Sequence, residues 1–178
     1  MRNLFTVFSD KELTFKKSQL GWLFFALAPI WTYRLNASDL FKTDTSKAVE
    51  MPITAQAMVN GKAIKLEVSK NSISHQVGLI HRQDLPLDRG MLYETTLQQP
   101  LVFNGKGMEF ATDLIFIKGN KVVFTYSQIQ PCNTDKCQTY GTKEPFDKVI
   151  ETKTGIISKL QIANGTEVEL AFADRAGR

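Results

Sequence analysis

The chain has little of what most catalytic chemistry is built from. It contains two cysteines and two histidines. A structural metal centre takes about four ligands. The cysteines supply two, and His75 and His81, six residues apart, match no zinc spacing. Neither a metal nor a cofactor is expected. There is no Gly-x-Ser-x-Gly elbow, phosphate-binding glycine loop, dinucleotide fingerprint or His-Glu-x-x-His motif. Blocks of like charge are missing too. The formal charge of +4 is concentrated at the start, where residues 1–35 hold five basic and two acidic side chains; residues 36–178 hold seventeen and sixteen, a net of +1. A nearly neutral domain without a basic stripe does not neutralise a phosphate backbone, so nucleic acid is not an expected partner.

Long apolar runs are scarce, and the one present stands near the N-terminus. Leu20 to Tyr33 is uncharged, preceded by Lys16 and Lys17 and closed by Arg34. Fourteen residues are short against the ~20 of a comfortable membrane span, and match the core of a signal peptide. A buried core helix is the third reading. Pro29 and the all-round apolarity argue against it, and Trp22 and Trp31 sit near the ends as interfacial anchors do. Leu35-Asn36-Ala37 makes a poor cleavage site, which favours an uncleaved helical anchor. The expected organisation is a cytoplasmic tail (1–19), a membrane anchor or signal segment (20–35), a polar tether (36–51), a globular β-rich domain (52–172) and a tail (173–178). The lysines stay inside, and residues 20–33 meet the membrane. The domain then lies outside the cytoplasm on the cell membrane, or is secreted or periplasmic after cleavage.

Within the domain the pattern is β-rich. Ile53–Val59 and Lys62–Val68 flank Asn60-Gly61, a strong hairpin signal. Ile64, Leu66 and Val68 alternate with Lys65 and Glu67. Asn71 or Ser72 is placed to cap a short helix through Leu79. Met91-Leu92-Tyr93 is an apolar run. Phe110–Ile117 and Lys121–Tyr126 form a second hairpin around Gly119-Asn120, its first strand central and buried. Lys148–Thr152 reads as a strand, Thr154–Leu160 as a helix and Glu167–Phe172 as a last strand. The expected class is α+β: mainly antiparallel strands closing into a compact barrel-like sheet, with two short helices.

Cys132 and Cys137 are five apart. In an exported chain an even count suggests one disulfide closing a small loop; in a cytoplasmic chain two free thiols are the default.

Four stretches stand in order: GLIHRQDLPLDRGMLY at 78–93, FNGKGMEFATDLIFI at 103–117, IQPCNTDKCQTY at 129–140 and KVIETKTGIISKLQIANGTEVEL at 148–170. Together they resemble the domain of unknown function 192 family. Arg82, Gly90, Met91, Lys106, Asp113, Pro131, Cys132, Cys137 and Tyr140 match its pattern. Asn104, Gly105 and Gly107 depart from it where the family has tryptophan, methionine and asparagine. The resemblance implies an exported or membrane-linked prokaryotic protein with a compact β-rich fold, and no assigned reaction. The ligand-facing candidates are Arg82, Tyr93, Lys106, Asp113 and Tyr140. A charged Asp113 inside an apolar strand needs a partner, and Arg82 or Lys106 is the expected one. The leading expectation is an envelope module that binds a small polar ligand or a partner protein. The alternative is a hydrolase or transferase using Asp113 as acid or base beside Arg82 and Lys106.

Overall fold

The structure, a computed structural model, describes residues 47–70, 72–95 and 101–173. These belong to one compact unit, Thr43–Arg178; the other unit, Met1–Lys42, lies outside the described residues, as do the expected anchor at 20–35, most of the tether and the tail beyond Ala173. Among the described residues no helix is long and apolar enough to cross a membrane.

Asn60 and Gly61 both take positive φ, the backbone of a tight hairpin turn. They join β1 (Ile53–Val59) to β2 (Lys62–Ser69), which pair antiparallel. A crossover carrying α1 (Ser72–Val77) returns the chain to β3 (Arg89–Glu94), which pairs with β2 in parallel. Two-residue β4 (Phe103–Asn104) follows, then β5 (Thr112–Lys118) and β6 (Lys121–Ile129), joined by the expected Gly119-Asn120 turn. β7 (Thr139–Tyr140) pairs antiparallel with β4. β8 (Lys148–Lys153), α2 (Ile156–Lys159) and β9 (Val168–Phe172) complete the chain. The main sheet runs β6-β5-β8-β3-β2-β1-β9, and every pair except β2·β3 is antiparallel.

The expected α+β class, mainly antiparallel with two short helices, is what forms, but the sheet does not close into a barrel. Its edge strands meet only through one bridge, Lys121 with Glu167, and backbone hydrogen bonds joining Asn120 and Val122 to residues 165–168. The overlap is short because a turn bounds it at each end, Gly119-Asn120 on one strand and Asn164-Gly165 on the other. Pairing has nowhere to extend.

The sheet is packed on both faces. In register, Leu66, Gly90, Thr152 and Asp113 form one row, and Glu67, Met91, Glu151 and Leu114 form the next, on the opposite face. The inner face, with Leu66, Leu92, Ile115, Ile117 and Ile150, is closed by Ile156, Leu160 and Ile162 of the α2 region. The outer face, with Met91, Tyr93, Leu114, Phe116 and Val149, is covered by Leu79, Leu85, Met108 and residues of the 101–146 loops. A strand such as β5 is therefore buried at every position from Thr112 to Ile117.

Candidate functional site

Asp113 points into the inner layer and is fully buried. Its expected partnership with Arg82 or Lys106 does not form. One carboxylate oxygen accepts from the Gln128 amide (3.0 Å) and the Thr154 hydroxyl (3.0 Å). The other accepts from the amides of Gly155 (2.9 Å) and Ile157 (3.1 Å). Three backbone N–H groups and a hydroxyl supply what a cation would have supplied. The extra residue of a bulge in β6 makes this work: Thr112 faces Ile129 while Leu114 faces Tyr126, and Gln128, at φ 60, turns its amide towards the acid. Asp113 thus ties β5, β6 and the start of α2 together. All its hydrogen bonds serve structure, which leaves no accessible carboxylate for the acid–base alternative.

Arg82 is buried on the opposite, outer face and takes Glu67 as its partner. Nη1 and Nη2 donate to the two Glu67 oxygens at 2.7 Å each, a bidentate pair. Nη2 also reaches the Val49 carbonyl (2.6 Å), and the Met51 amide donates to Glu67 (2.7 Å). The pair therefore clamps residues 49–51 against β2. Burial alone would lower the Arg82 pKa, but the hydrogen bonds and charge of Glu67 outweigh it and the net shift is upward.

Lys106 is the one predicted side chain of the five that is exposed at a cleft rather than packed inside. Three segments meet around it. The Lys106 amide donates to Asn104 Oδ1 (2.9 Å), the Cys132 amide to the Gly105 carbonyl (2.8 Å) and the His81 amide to the Gly107 carbonyl (2.9 Å). Glycine is required at 105, since a Cβ there would lie 2.1 Å from the Gln130 carbonyl oxygen. The cleft holds about 510 Å³ and is lined by Gln76, Ile80, His81, Lys106 and residues 132–135, with Lys106 bridged to Cys132. Cys132 and Cys137 are joined by a disulfide, Cα to Cα 5.9 Å, which closes the loop whose residues 132–135 line the cleft. Among the described residues the Lys106 ammonium makes no ion pair.

Tyr93 lines a second cavity of about 400 Å³, separated from the first by the 76–80 segment that borders both. Its hydroxyl donates to Glu151 (2.8 Å). Burial raises the Glu151 carboxyl above its ordinary range, and burial with the Glu151 charge pushes the Tyr93 phenol well above its own. Tyr140 lines neither cavity. It pairs with Phe103 in the small β4·β7 sheet and packs its ring on Tyr126 (5.2 Å).

The structure therefore separates the predicted residues: Asp113 lies inside one layer, Arg82 within the other, Lys106 and Tyr93 in neighbouring cavities, and Tyr140 in an aromatic wall. Sequence reasoning missed Glu67 and Glu151. Glu151 had a signal, because Val149 and Ile150 are adjacent apolar residues on opposite faces of one strand, so a charge beside them is buried. Among the described residues no three histidine, cysteine, aspartate or glutamate side chains stand together as metal ligands.

The model of the DUF192 family, described as an uncharacterized ACR family, matches residues 55–170, more than half of the chain, and the chain belongs to that family. No curated protein matches it. Two solved structures are similar. A candidate transcription regulator from Sinorhizobium meliloti 1021 is 19% identical with a TM-score of 0.57, covering 68% of this chain and 97% of that one. A protein of unknown function from Novosphingobium aromaticivorans DSM 12444 is also 19% identical, with a TM-score of 0.59 and coverage of 72% and 97%. At that identity the likeness is one of fold.

Proposed function

For this member of the DUF192 family we propose the role of an envelope module, tethered or exported through residues 20–33, that binds a small polar ligand bearing an anionic group in the Lys106 cleft. The observation that carries the reading is the placement of Lys106. A cation held by three interlocked loops, without an ion pair among the described residues, borders a concave site of about 510 Å³. Clefts of this size with a few convergent polar groups are the usual form of small-molecule sites. His81, Gln76, Asn133 and Thr134 in the same lining add hydrogen-bonding groups. The disulfide fits an oxidising compartment and supports placing the domain outside the cytoplasm. The regulator description of the Sinorhizobium protein is not carried over, because residues 36–178 have a net charge of only +1.

The test is titration calorimetry of the chain with inorganic phosphate and with succinate. Saturable binding of either is expected. Lys106→Ala should weaken it at least tenfold and Lys106→Arg should retain most of it, with thermal unfolding unchanged in both. No saturable binding, or binding indifferent to Lys106→Ala, rejects the site. An alkaline phosphatase fused after residue 178 should be active; an inactive fusion beside a fluorescent cytoplasmic reporter rejects the topology.

A further inference from the structure

Two buried acids lie in one row of the outer face, on either side of Met91, and among the described residues only Glu67 is paired with a cation. Glu67 holds the bidentate Arg82. Among the described residues Glu151 has neutral hydrogen-bond partners, the hydroxyls of Tyr93 and Thr112. Arg82 is near enough to act on Glu151 through its field, but both of its terminal nitrogens are already committed to Glu67 and the Val49 carbonyl. A carboxyl removed from water without a cation is costly to ionise. Here it borders the 400 Å³ cavity under α1.

Beside Gln76 and Asn104, much of that cavity's lining is apolar or aromatic. Leu101 and Met108 line it, and Tyr93 packs edge-on to Phe103 at 5.2 Å and against the His75 ring at 5.7 Å. The His75 Nε2 is engaged with the Ser69 carbonyl at 3.2 Å, so the ring serves as wall. Glycine at 78 keeps the approach open over the phenol, since a Cβ there would stand 2.6 Å from the Tyr93 hydroxyl.

We propose that this cavity is a binding site for a small organic cation with an apolar body, an aryl- or alkylammonium, whose charged head pairs with Glu151. The ammonium supplies the partner that Glu151 lacks, the Tyr93 and Phe103 rings attract a cation, and the aliphatic wall takes the apolar body. A carboxylate ligand is repelled by Glu151, and a neutral one forgoes the ion pair. The site is separate from the Lys106 cleft and has the opposite charge preference, so either proposal stands if the other fails.

The test uses three probes of one shape: 2-phenylethylammonium, 2-phenylethanol and phenylacetate. Each is titrated calorimetrically into the full chain in a mild detergent, with detergent alone as reference. The amine is expected to bind at least tenfold more tightly than the alcohol, with no binding of phenylacetate. Glu151→Gln should reduce the amine to the affinity of the alcohol. Leu101→Trp, which fills the cavity while leaving Glu151 in place, should abolish amine binding and guards against a Glu151 variant that fails to fold. Excess phosphate should not displace the amine. Equal affinity for the three probes, no binding of the amine, or amine binding that survives Leu101→Trp would each overturn the site.

Discussion

The two faces of the seven-stranded sheet are packed by different means. The hydrophobic core of the inner face is aliphatic, built from Ala55, Ala57, Val59, Ile64, Leu66, Val68, Leu92, Ile115 and their neighbours, with no aromatic ring among its core residues. The outer face gathers Tyr93, Phe103, Phe110, Phe116, Phe124, Tyr126, Tyr140 and Phe146, together with Glu67, Arg82 and Glu151. Small branched side chains suit the inside of a strongly curved sheet, where space is limited. Two of the outer-face rings, Tyr93 and Phe103, line the smaller candidate cavity. The inner face holds its one buried carboxylate, Asp113, with backbone amides and a hydroxyl, whereas the outer face carries the buried ion pair and the space.

Variants can break this division. The largest effect is expected from Arg82→Ala, which leaves Glu67 charged and unpaired in the outer layer at a cost of about 3–5 kcal/mol. Replacing Glu67 and Arg82 together by Leu and Met should recover most of it. Urea denaturation of the three proteins tests this, and a double variant as unstable as the single one would show that the pair is more than a clamp.

Asp113→Ala is the inner-face counterpart. It strands the amides of Gln128, Gly155 and Ile157, with an expected loss of about 2–4 kcal/mol, whereas Lys106→Ala should leave the unfolding midpoint almost unchanged. A loss at Asp113 no larger than that at Lys106 would mean the amides find water.

How much of this was legible follows from the same residues. Asn60-Gly61, Gly119-Asn120 and the strand patterns around them identify both hairpins, and Thr154–Leu160 contains α2. The role of Glu67 was hidden because alternation in β2 marks it as facing away from Ile64 and Leu66, and a face opposite one core is read as solvent unless a second layer covers it. The partners of Asp113 were hidden for another reason: they are backbone amides, which no residue type announces. β4 and β7, two residues each, are too short to show any period, and the parallel β2·β3 pairing depends on a crossover whose length gives no register.

A smaller effect is expected at the wall of the Lys106 cleft. Cys132→Ser with Cys137→Ser should cost about 2 kcal/mol, since the closed loop is short, and should speed proteolysis between Ile129 and Tyr140. Two alkylatable thiols in protein isolated from its host cells without reductant would remove the bridge from the native state.

The finest comparison is a slope. The folded Glu151 carboxyl titrates above its ordinary value near 4.5, chiefly through burial. The folded protein therefore holds that proton where the unfolded chain has released it. The contribution to stability is fully present below the unfolded pKa and is lost as pH rises through the folded one. Glu151→Gln cannot ionise, so its stability relative to the native protein should improve from pH 4 to pH 7. A difference independent of pH would show that Glu151 titrates alike in both states.

The pairing of β1 with β9 sets Ala55 beside Phe172, so the first and last strands of the domain are neighbours in the sheet. During synthesis β1 is without its outer partner until nearly the whole domain has left the ribosome. Contacts this distant along the chain also form slowly. This domain is wired so that the sheet is finished only by its last few residues, which delays completion of the fold during its own synthesis.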